Sequence, residues 1–245
     1  MIFTALSMTP TIFPHEPHKV SSNLRDIILG GQDGLVNVLG IILGIAVASQ
    51  DLRIILAGGL AATFAESISM AAVAYTSTKA EQSYYQSELE REKREIKEMP
   101  EIEKEEVREI YRRKGFSGKL LEEVVAKITS DETVWLEEMM RFELDLAPAE
   151  TKNAFFSSFV VGTAAFIGSL IPLMPFFFIR ELALSISEAV WISLAVSAAT
   201  LFVVGAYKAK TTVGDWKKSG LEITVIGIAS ALVGYAIGLF FRAPA

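Results

Sequence analysis

Five stretches of this chain are long, apolar and almost free of charge: 27–49, 54–78, 153–179, 189–207 and 223–241. Between them they hold two ionisable acids, Asp33 and Glu66, and no lysine or arginine. A bilayer core about 30 Å thick is crossed by roughly 20 apolar residues rising 1.5 Å each. Lipid offers no partner to an open backbone, so stretches of this length span as helices. The charge is concentrated elsewhere. Residues 79–150 carry 33 of the 52 charged side chains, thirteen basic against twenty acidic, a net −7 in a chain whose total is −6. The predicted fold is therefore all-α. It is a polytopic membrane protein with five transmembrane helices and a helical domain inserted between helices 2 and 3.

The expected organisation has four parts. Residues 1–23 form a disordered leader broken by Pro10, Pro14 and Pro17, without the basic start of a signal peptide. Transmembrane helices 1 and 2 occupy 24–78, the acidic helical domain 79–150, and transmembrane helices 3–5 residues 151–245. Orientation follows the basic residues nearest the span ends. Lys19, Arg25, the insert and the loop with Lys208, Lys210, Lys217 and Lys218 fall on one side; Arg53, Arg180 and Arg242 fall on the other. The N-terminus and the insert are then cytoplasmic. The membrane would be the plasma membrane in a prokaryote and the vacuolar membrane in a eukaryote. Acidity rules against nucleic acid as a partner. The absence of cysteine excludes disulfides and thiolate metal sites.

Local signals refine the helices. From Leu60 to Met99 there is neither Gly nor Pro, so span 2 is expected to run on beyond the membrane until Pro100. The insert then continues with helices over 101–114, closed by Gly115 and Gly118, over about 119–128, and over about 131–146 with Asp131 as the cap. Pro172 and Pro175 predict a kink in span 3. Gly40 and Gly44, and Gly234 and Gly238, are pairs at the spacing of close helix contacts or of a dimer face.

A carboxylate at a helix centre costs about 2.5–3.5 kcal/mol on insertion scales, so it faces the protein interior or a wet pathway. Asp26, Asp33 and Asn37 share one face of span 1, and Glu66 and Met70 share one face of span 2. Oxygen donors with a thioether suit a borderline transition metal better than Mg²⁺ or Ca²⁺, although Met70 alone reads as core filling. In the insert, Glu92 and Glu95 lie three apart, as do Glu103 and Glu106 on the far side of Pro100, and Met139 lies four before Glu143. On spacing alone, glutamates in a Glu/Lys-rich helix read first as a solvated face. His15 and His18 sit in the leader and read as solvated.

The motifs DGL at 33–35, ISM at 68–70, EEMMRFE at 137–143 and IPLMPF at 171–176, with the acidic helix after Lys79, together resemble the vacuolar iron transporter family over residues 24–242. The resemblance implies a homodimer that exchanges cytoplasmic Fe²⁺ for protons, with a cytoplasmic domain that gathers metal. It places transport-pathway residues at Asp26, Asp33 and Met70, with Glu66 beside them, and cytoplasmic metal ligands at Glu92, Glu95, Glu103, Glu106, Met139, Met140 and Glu143. Many members carry a glutamate two turns before the methionine; this chain has Ala62 there and Glu66 one turn before.

The function expected is a proton-coupled exporter of Fe²⁺ and other divalent transition metals, working without a prosthetic group. Protonation of the pathway carboxylates would release the ion. The alternatives are a Mn²⁺-selective exporter of the same fold, a membrane-anchored di-iron ferroxidase, and a metal-independent scaffold. Residues 79–150 lack the histidine of a Glu-x-x-His di-iron site, and a scaffold leaves Asp33 and Glu66 without a purpose.

Overall fold

The computed structural model describes residues 20–146, 153–211 and 214–242. They form eight α-helices and no strand: α1 Val20–Ser49, α2 Leu52–Glu98, α3 Pro100–Arg113, α4 Gly118–Ile128, α5 Glu132–Phe142, α6 Ala154–Phe177, α7 Ile186–Thr211 and α8 Trp216–Phe240. Five of these, α1, α2, α6, α7 and α8, are long and apolar enough to cross a membrane. The last four leader residues belong to α1; His15 and His18 lie outside the described residues. Contacts divide the chain into two compact units, one of residues 1–63 and 164–245, the other of residues 64–163.

In the first unit, small residues let backbones meet. A β-carbon added at Gly234 would lie 2.2 Å from the Gly40 carbonyl oxygen, and one at Gly238 would lie 2.3 Å from that of Gly44. The two glycine pairs read from the sequence are thus each other's partners, in the crossing of α1 with α8. A similar approach joins α1 to α6, where Gly168 faces the Gly31 carbonyl and Gly34 faces that of Ala165. Around these crossings Val38, Ile42, Ala46, Ile55, Leu173 and Phe176 are fully buried in one apolar cluster, and Ala62 packs against it. Helix α6 continues through both prolines to Phe177. The buried Ser193 hydroxyl of α7 donates to the Pro172 carbonyl at 2.7 Å, an acceptor contact outside that helix's own ladder.

The second unit is built on α2, which is unbroken for 47 residues, about 70 Å at 1.5 Å per residue. Met99 and Pro100 end it, and proline opens α3 at a position where its missing N–H costs nothing. Gly115 and Gly118 take positive φ (96° and 57°) and turn the chain from α3 into α4. The Asp131 side chain accepts from the Thr133 and Val134 amides and starts α5 as expected. That helix stops at Phe142, short of the expected 146. Asp145 turns left-handed (φ 53°), and the Leu144 and Leu146 amides close back on the Met139 and Met140 carbonyls.

The insert helices enclose their own core: Ile96, Val107, Ile110, Leu121, Val125, Ile128, Trp135, Leu136, Met139 and Met140. Lys114, at the end of α3, reaches Glu138 of α5 at 3.3 Å and lies 3.1 Å from the Phe142 ring centroid. The Tyr111 hydroxyl donates to the same Glu138 carboxylate. These contacts fix the rotation of α5 and so the direction in which Glu143 leaves it.

Candidate metal centre

Three carboxylates from three points of the chain converge in the second unit. Glu92 of α2, Glu103 of α3 and Glu143 at the end of α5 each bring an oxygen within 4.8 Å of the others. The break at Met99–Pro100 makes this possible by folding the first turn of α3 back toward the last turns of α2. Glu92 and Glu103 are buried, 0% and 4% exposed. Glu143 is exposed as a residue, yet its carboxyl turns inward to the other two.

Both oxygens of Glu92 and one of Glu103 have no hydrogen-bond partner among the described residues. An unsatisfied buried polar atom costs about 1–3 kcal/mol, more if charged. Only a proton or a cation can satisfy oxygens that face other oxygens.

The electrostatics express the same strain. Burial, then the charges of Glu143 and Glu103, push the Glu92 carboxyl up to about 8. Burial and the charge of Glu106 raise Glu103. Partial burial of the carboxyl, then Glu106, Glu103 and Glu95, bring Glu143 up to about 7, with Arg91 pulling the other way. All five glutamates singled out from the sequence, at 92, 95, 103, 106 and 143, therefore act on one another in this one place. Arg91 was not anticipated. It pairs with Glu88 at 2.9 Å and with Glu95 at 3.5 Å, so one basic side chain partly offsets the cluster. Its position four before Glu95 was the available signal.

Met139 and Met140 are placed differently. They are 0% and 2% exposed, inside the apolar core of the insert. Packing accounts for both. Met139 also lies one turn before Glu143, whose amide donates to the Met139 carbonyl at 3.0 Å.

The pathway residues divide between the units. Asp26 and Asp33 are half-buried on α1, and Glu66 and Met70 are half-buried on α2, in the second unit. Among the described residues the Glu92, Glu103 and Glu143 group is the one acidic cluster of metal-binding geometry.

A metal ion must displace the protons these raised groups hold, so its affinity is expected to rise with pH. Below about pH 7 both Glu143 and Glu92 compete, and between about 7 and 8 mainly Glu92 does. The expected dependence is about tenfold per pH unit for each proton displaced, levelling off above about pH 8. Mn²⁺ titrations across this range check it; an affinity independent of pH would remove these carboxylates from the site. The metal-free fold follows the opposite sign. Because the folded-state values lie above the ordinary 4.5, the stability they contribute is complete below that pH and is lost as pH rises through 7 to 8.

Known proteins are similar to this chain over most of its length. The chain is 34% identical over 235 residues to vacuolar iron transporter 1 of Arabidopsis thaliana, covering 93% of this chain and 92% of that one. To vacuolar iron transporter 1 of Tulipa gesneriana it is 32% identical over 223 residues, 91% of this chain and 89% of that one. To protein CCC1 of Saccharomyces cerevisiae it is 25% identical over 214 residues, 86% of this chain and 64% of that one. Residues 24–239, nearly the whole described chain with its five apolar helices and acidic insert, match the VIT family, and the protein belongs to that family.

Proposed function

We propose that this integral membrane protein exports Fe²⁺ from the cytoplasm in exchange for protons. The observation that carries the reading is the buried cluster of Glu92, Glu103 and Glu143, whose oxygens lack partners and repel one another until a cation joins them. Relatives named vacuolar iron transporters, at 32% and 34% identity over nine-tenths of the chain, supply the ion. In this reading the insert is cytoplasmic and concentrates metal at Glu92, Glu95, Glu103, Glu106 and Glu143, with Met139 and Met140 beside them. Asp33 of α1 then receives the ion, with Asp26, Glu66 and Met70 along the pathway. Protonation of these carboxylates on the far side removes the anionic ligands and releases the metal.

Purified protein in liposomes tests this directly. Fe²⁺ flux should require the protein and accelerate when a proton gradient is imposed. Asp33→Ala should reduce flux by about tenfold or more, because no other acid on α1 replaces it at that depth. Undiminished flux in Asp33→Ala would take the pathway away from this residue. Flux indifferent to the proton gradient would end the exchange mechanism.

One observation favours a second reading, a preference for Mn²⁺. The converging ligands are all oxygens, and hard oxygen donors suit Mn²⁺ at least as well as Fe²⁺. Competition between the two ions in the same flux assay decides between them.

A further inference from the structure

At one end of the first unit, the C-termini of α1 and α8 and the N-terminus of α7 enclose a cavity of about 320 Å³. Its inner walls, away from the helix ends, are aliphatic, with Leu43, Val47, Leu194 and Leu232 among them. Its polar lining comes from the helix termini: Gln50, Ser187 and Arg242, with Trp191 and Tyr235 at intermediate depth. The polar groups are not equivalent. The Gln50 amide is engaged with the Ala46 carbonyl at 2.7 Å. Arg242 is the one charged residue of the lining and forms no ion pair among the described residues. Its amide lies 3.4 Å from the Leu239 carbonyl, which holds it against the end of α8.

Such a gradient, aliphatic within and cationic at the rim, complements an amphiphile with an anionic head. A guanidinium matches phosphate oxygens in a two-pronged geometry, and only a headgroup without a cation of its own leaves the phosphate charge uncompensated beside it. The volume lies at the small end of ligand pockets, enough for one extended chain and too small for a helix. Trp and Tyr are the residues that settle at the level of lipid headgroups. We propose that this cavity seats one acyl chain of an acidic phospholipid, with the lipid phosphate on Arg242.

Native mass spectrometry of the full-length protein tests it, with phosphatidylglycerol and phosphatidylcholine of identical chains added in equal amounts. The expected result is retention of the acidic lipid over the zwitterionic one by about tenfold, weakened in Arg242→Lys, which keeps the charge without the two-pronged geometry, and abolished in Arg242→Gln. Val47→Phe, which fills the cavity while leaving the charge, should abolish it as well. Equal retention of the two lipids by the unaltered protein would overturn the proposal, a measurement that needs no variant to fold. A preference that survives Arg242→Gln would overturn the headgroup contact. One that survives Val47→Phe would reduce the effect to surface attraction with no seated chain, and would overturn the site.

Discussion

Glu92→Gln should weaken divalent metal binding by roughly 100-fold or more and, in the same protein, make the metal-free state more stable by about 1–3 kcal/mol. The two effects have one origin. Glu92 is 0% exposed, its oxygens have no donor, and two other carboxylates lie within 4.8 Å. Without metal its charge is a cost, and the neutral amide removes that cost while keeping the shape. With metal, the lost anion is a lost ligand, and even partners outside the coordination shell cost 10–100-fold when removed. Calorimetric titration with Mn²⁺, paired with thermal unfolding in the presence of a chelator near pH 8, reads both. A glutamate held only for structure would give the reverse pattern, with unchanged affinity and a less stable metal-free protein. That pattern would remove Glu92 from the centre.

Gly234→Ala should disrupt the membrane unit, whereas Gly40→Ala, on the opposing helix of the same crossing, should be tolerated. A pattern-based reading treats the two glycines as equivalent; the geometry does not. The added β-carbon at 234 would sit 2.2 Å from the Gly40 carbonyl oxygen, which is backbone and has no rotamer to escape into. At Gly40 the nearest atom would be 3.7 Å away, an ordinary contact. Overpacking of this kind costs about 1–3 kcal/mol and occasionally more, and here the two helices themselves must part. Folded yield and thermal unfolding in detergent should fall sharply for Gly234→Ala and barely for Gly40→Ala. Equal behaviour of the two would mean that the crossing relaxes freely.

The sequence made the helices legible because their punctuation is chemical. Nothing between Leu60 and Met99 can stop a helix, and Pro100 can. Asp131 offers one carboxylate oxygen to two free amides and caps α5. The five insert glutamates were legible only with the family resemblance, since acids spaced three apart look alike whether they face water or each other. What sequence could not convey was direction. Met139 and Met140 combine ligand chemistry with core chemistry, and only the rotation of α5, fixed in part by Lys114 and Glu138, puts them among Ile110, Val125 and Trp135. Likewise the glycine pairs announced close approach without naming their partner. Arg91 passed unnoticed because its spacing to Glu95 is one of several such basic–acidic spacings between Glu88 and Glu98.

The unbroken α2 has a mechanical consequence. Glu66 and Met70 in its first half, and Glu92 and Glu95 near its C-terminal end, belong to a single rod in which Glu66 and Glu92 stand about 39 Å apart along the axis. At 3.6 residues per turn, Met70 and Glu95 return to nearly the same azimuth, within about 20°. Helices bend or slip where proline, glycine pairs or inserted groups interrupt the ladder, and the sequence from Leu60 to Met99 contains neither Pro nor Gly. Torque applied where the acids gather therefore has no joint in which to dissipate. Were a cation to draw Glu103 and Glu143 together, a few degrees of roll at Glu92 would be passed along this uninterrupted helix toward Glu66.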